Sequence, residues 1–84
     1  MAEKEIGTVI HYWTRIGVAG ITLSDTLRVG DSIHIVGATT DLTTTVQSMQ
    51  EENQNVTEAG AGHSIGIKVP ARVRAGDAVY KISD

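Results

Sequence analysis

The stretch Leu27-Arg28-Val29-Gly30-Asp31-Ser32-Ile33 reads as a tight turn that launches a strand. Its grammar returns at Val73-Arg74-Ala75-Gly76-Asp77-Ala78-Val79: apolar, Arg, small apolar, Gly, Asp, any residue, β-former. Gly62-His63-Ser64-Ile65 is a looser third copy. Glycine takes positive φ at no steric cost, and Asp bonds back to nearby backbone before a strand begins. The apolar residue two places after the Asp then points into a core. The phrase therefore concerns shape, not chemistry. Its copies are too short and too unevenly spaced for a solenoid.

Outward from these turns the chain alternates like a strand protein. Glu5 to Thr14 is rich in β-branched and aromatic residues, and Ala19, Ile21 and Leu23 share one face of the next segment. Ile33 and Ile35, then Leu42, Thr44 and Val46, then Ile65, Ile67 and Val69, then Ala78, Tyr80 and Ile82 continue the series. A seventh strand fits around Gln54 to Thr57, and only Ser48 to Gln54 would tolerate a helical turn. Many short strands with glycine turns and no crossover helix predict an all-β fold, a small closed antiparallel barrel of six or seven strands.

The 84 residues predict one domain, 1–84, with its core over 5–82. No cysteine is present, which removes disulfides, thiol catalysis and zinc–thiolate sites and suits a cytoplasmic setting. The polar start and short apolar runs predict neither a signal peptide nor a membrane span. Seven basic against ten acidic residues give a net charge of −3, which disfavours broad nucleic-acid binding. A monomer is expected.

The order of Gly7, Val9, Val29-Gly30-Asp31, Gly37, Val46, Met49, Ala61-Gly62, Ile65-Gly66 and Ala75-Gly76-Asp77 resembles the second, β-barrel domain of translational GTPases such as elongation factor Tu. It is similar, too, to the barrel appended to some collagenase-like peptidases and to short stand-alone translation elongation factor-like proteins. The likeness runs from Ile6 to Ile82 and rests on scaffold positions. The first resemblance implies a non-catalytic module in or near translation, contacting RNA, the ribosome or a translation protein. The alternative is a protein–protein adaptor unconnected with the ribosome. GTP is not expected as a ligand, because no G-x-x-x-x-G-K-(S/T) loop occurs.

Catalytic, cofactor and metal sites are not expected. Gly60-Ala61-Gly62 precedes a strand, so its amides do not open a helix as phosphate loops do. His11, His34 and His63 lack ligand spacing. No serine sits in a nucleophile-elbow pattern. Two features stand out as a partner site. Tyr12 and Trp13 are neighbours on a strand, so one faces the core and the other stays at least partly exposed as an anchor. Lys68, Arg72 and Arg74 form the only basic cluster, to which Arg28 would add from the first copy of the turn phrase.

Overall fold

The computed structural model describes residues 2–83. In chain order the strands are β1 Ala2–Trp13, β2 Val18–Leu23, β3 Leu27–Arg28, β4 Ser32–Val36 and β5 Asp41–Thr45. They continue as β6 Met49–Glu51, β7 Gln54–Val56, β8 Glu58–Ala59, β9 Ser64–Lys68 and β10 Ala78–Ser83. Among the described residues there is no helix, and so none long and apolar enough to cross a membrane.

Eight strands form one antiparallel sheet in the order β5-β4-β10-β1-β2-β9-β6-β7, and β3 pairs β8 in a separate ribbon. The closed six- or seven-stranded barrel expected from the sequence is therefore corrected. The fold is all-β, but the ladder stays open between β5 and β7. Both edges explain why. Along β5, Asp41, Thr43 and Thr45 are exposed, and β7 is three residues long with Gln54 and Asn55 exposed. Short, polar edge strands resist further pairing.

The turn phrase does what its chemistry predicts. At Gly30 and Gly76 φ is +99° and +98°. In each copy the Arg amide donates to the Asp carboxylate, Arg28 to Asp31 and Arg74 to Asp77, both at 2.9 Å. The glycine amide then donates across to a third segment: Gly30 to the Val46 carbonyl (2.8 Å), Gly76 to that of Val9 (2.7 Å). Val46 and Val9 return the bond to the carbonyls of Asp31 and Asp77. The third copy keeps this exchange, between Gly62-His63 and Leu23, without the carboxylate. Each copy is a staple that ties a turn to a distant segment.

Ser48 to Gln54, where a helical turn was tolerable, is instead half of a hairpin. Glu52 (φ +52°) and Asn53 (φ +65°) form its two-residue loop, the positive-φ pair that suits the twist of flanking strands. The core draws Ile6, Val9, Ile21, Leu27, Ile33, Ile35, Met49, Ile67 and Val79 into one cluster. Each fully buried aliphatic side chain of this kind contributes roughly 1.5–3 kcal/mol. Two register shifts bend β1, one between Glu5 and Gly7 against β10, one between Val9 and His11 against β2. The second shift leaves Ile10 as an extra residue, 50% exposed, and reverses the alternation beyond it. Tyr12 therefore packs on the core and Trp13 faces out, 45% exposed.

Candidate functional site on the outer sheet face

The bulge at Ile10 and the turn after β1 place three large apolar side chains outside a core that is already filled. Ile10, Trp13 and Ile16 are 50%, 45% and 59% exposed. Beside them the pairing sets one row across five strands: His11, Gly20, Gly66, Gln50, Asn55. The two central members have no side chain. The Trp13 ring leans over the first of them, so that a Cβ on Gly20 would stand 2.9 Å from Trp13 Cζ3. His11 meets Trp13 edge-on, with ring centroids 4.6 Å apart and planes at 68°.

The result is a depression of about 430 Å³, floored by Gly20 and Gly66 and walled by Trp13, Ile10 and Val18. Gln50, Asn53 and Ser64 supply its polar groups. An adjoining hollow of about 500 Å³ shares Ile16, Val18, Gln50 and Gly66 and adds Arg15 and Lys68. Glu52 lies at the rim of the first. Among the described residues Arg15, Lys68 and Glu52 belong to no ion pair, so the face is positive on one side and negative on the other. Ser64 Oγ lies 3.3 Å from Thr22 Oγ1 rather than beside a base. Among the described residues this face holds no oriented nucleophile–base pair.

Of the residues singled out in the sequence, Trp13 and Lys68 reach this face. Arg28 is engaged elsewhere, its Nε donating to Glu58 at 2.9 Å across the β3–β8 ribbon. Arg72 and Arg74 flank buried Val73 on the connection to β10 and line neither hollow. Of these four basic residues, Lys68 alone lines one of the two hollows. Missed were Ile10, Ile16, Arg15 and Gln50, together with the paired glycines. A signal for the last was present, since glycine inside a strand pattern marks close approach by a ligand or another backbone.

The histidines do not converge, and among the described residues no three His, Asp or Glu side chains are grouped to hold a metal. His34 instead sits between two carboxylates, Nδ1 2.9 Å from Glu3 Oε1 and Nε2 2.5 Å from Asp41 Oδ1. Two acceptors on opposite ring nitrogens require two N–H donors. The bonds to Asp41 and then Glu3 accordingly hold the imidazole above its ordinary range, against a smaller effect of burial. It is a clip joining β1, β4 and β5 rather than a chelate. His63 is paired through Nδ1 with Glu51.

No family model matches the chain. It is 38% identical over 81 residues to an uncharacterized protease of Methanocaldococcus jannaschii, covering 95% of this chain and 20% of that protein. It is 37% identical over 78 residues to a collagenase of Porphyromonas gingivalis, covering 90% of this chain and 22% of that one. The chain thus spans about a fifth of the length of the curated relatives it matches. Among solved structures, the C-terminal domain of an assigned U32 peptidase of Geobacillus thermoleovorans superposes with a TM-score of 0.89 at 18% identity. That match covers 95% of this chain and 93% of that domain. Its selenomethionine variant gives 0.86, also at 18% identity, over 90% and 96%. These two matches show the shared fold. The relatives overturn the translation reading, with its RNA, ribosome and elongation-factor assignments, because the named proteins are proteases and collagenases. The shared positions had been scaffold glycines and aspartates, which follow a fold and not its use. The resemblance that holds is the other one, to the domain appended to collagenase-like peptidases.

Proposed function

We propose that the chain is a non-catalytic accessory domain that holds polypeptide for a peptidase active site located in other sequence. The observation that carries this reading is the cluster of Ile10, Trp13 and Ile16, left exposed outside a filled core and beside a glycine floor. Burying such side chains against a partner is favourable, and exposed aromatics are common anchors in interfaces. The identity to named proteases, over only a fifth of their length, supports an accessory role and a polypeptide partner. Gelatin is the direct probe. The chain immobilised on beads should retain gelatin and leave it intact. Trp13→Ala should release it while the β spectrum stays unchanged. Cleavage of gelatin by the chain would contradict the non-catalytic part, and absence of retention would contradict the binding part.

A further inference from the structure

We infer that the glycine-floored depression takes one turn of a polypeptide in the polyproline II conformation, with an acidic residue directed toward Arg15 and Lys68. The inference rests on the accessory-domain reading and specifies what its surface holds.

Strand addition is unavailable at this place. Both floor strands already have two neighbours, β2 between β1 and β9, and β9 between β2 and β6. Their backbone groups are spent on the sheet, so an incoming chain has no free strand edge to pair with. It must bind through packing and through side-chain donors. Polyproline II suits those terms, since it makes no internal hydrogen bonds and leaves its carbonyls open. Aromatic-lined grooves recognise it elsewhere for this reason, and its stiffness lowers the entropy lost on binding.

The spacing fits as well. The Trp13 ring stands over Gly20 on β2, and Gln50 stands on β6, two strand positions away across Gly66. Two inter-strand steps span about 9.6 Å, and one polyproline II turn of three residues rises about 9.3 Å. A proline ring packed on Trp13 therefore brings the carbonyl one turn further on over the amide of Gln50. That amide is exposed, and its Nε2 has only the long 3.2 Å bond to Asn55 Oδ1. Gly20 is buried under the Trp13 ring, so the peptide backbone is admitted at half-buried Gly66, where a larger side chain would fill the trench. Charge sets which flank of the peptide faces which bank of the trench. Arg15 and Lys68 border the hollow on one side and Glu52 lies at the other rim, none of them in an ion pair among the described residues. A segment with an acidic side chain on one flank and a basic one on the other is complementary to both.

Trp13 is the only tryptophan, so its emission reads the site directly. The probe is a synthetic proline-rich peptide of about three polyproline II turns, with one Glu and one Lys in its central turn so that they project to opposite flanks. Its control keeps the charges and replaces each proline by Gly or Ser. The proline peptide should shift Trp13 emission saturably, and the flexible control should bind about tenfold more weakly. Gly66→Val, which fills the trench, and Gln50→Ala, an exposed change that leaves packing alone, should each weaken binding about tenfold or about threefold respectively. Equal binding of the control, unchanged affinity in Gln50→Ala with a folded Gly66→Val, or emission that changes only with protein concentration would overturn the assignment. The last outcome would mean that a second copy covers this face. A chain that retains gelatin yet ignores the proline peptide would end this inference and leave the accessory reading standing. A chain that binds neither would end both.

Discussion

Gly30 and Gly76 on one side, and Gly20 and Gly66 on the other, use the same residue for opposite purposes. The first pair sits at φ near +100° with nothing within 4 Å of a would-be Cβ. Their surroundings have room for a side chain; the backbone angle does not. The second pair lies in ordinary strand backbone, where a Cβ would meet the Trp13 ring at 2.9 Å and Val18 Cγ1 at 3.2 Å. There the angle is permissive and the space is occupied or kept clear. Turning glycines set the fold, and space-keeping glycines shape the outer face. A glycine's place in the chain thus tells which property was needed.

Substitutions can break this division, and the largest effect is expected at Gly37. A Cβ there would stand 1.9 Å from Asp77 Oδ1, displacing the carboxylate that accepts the Arg74 amide. Gly37→Ala should cost about 3 kcal/mol in urea unfolding, through overpacking and the lost bond together. Asp77→Ala follows. Asp77 is buried, so leaving its donors unanswered should cost about 1.5–3 kcal/mol. Asp31 makes the same amide bond in a more open turn, with Lys81 Nζ at 3.5 Å, and Asp31→Ala should cost about 0.5–1.5 kcal/mol. Equal losses at the two aspartates would show that burial does not separate the staples.

A smaller effect is expected from the clip at His34. Its imidazole is raised above the ordinary range by Asp41 and Glu3, while Tyr80 and Thr43 stand opposite it on the neighbouring strands. A raised folded-state pKa stabilises fully below the unfolded value of about 6.5 and is lost as pH climbs through the folded value. The melting difference between wild type and His34→Gln should therefore be largest at and below about pH 6 and shrink as pH rises beyond the unfolded value. A difference that grows with pH would mean that the ring is neutral between its carboxylates.

The turn phrase was legible because its chemistry is local: a positive φ and a carboxylate three residues from the amide it accepts. That Tyr12 and Trp13 would point to opposite faces was legible for the same reason. Which one points inward was not, because the bulge at Ile10 depends on how β1 registers with β2, a partner chosen across the sheet. Closure was misjudged because glycine turns and alternation are common to open and closed sheets, whereas the polarity of β5 and β7 decides the edges. The basic residues were grouped by sequence distance. The fold pairs Arg28 with Glu58, and Arg72 and Arg74 line neither hollow beside Trp13. Arg15, two residues from Trp13 in the chain, borders that face and was passed over.

The division between the two kinds of glycine is tested most directly by measuring stability and proline-peptide affinity side by side in Gly76→Ala and Gly66→Ala. Gly76→Ala should lose about 1–3 kcal/mol of stability, the cost of holding a side chain at a glycine angle, and keep its affinity for the peptide. Gly66→Ala should stay within about 0.5 kcal/mol of wild type, since alanine suits a strand interior better and Val18 need move only slightly, yet it should bind the peptide several-fold more weakly. The reverse pattern, with Gly66→Ala unstable and Gly76→Ala deficient in binding, would contradict it.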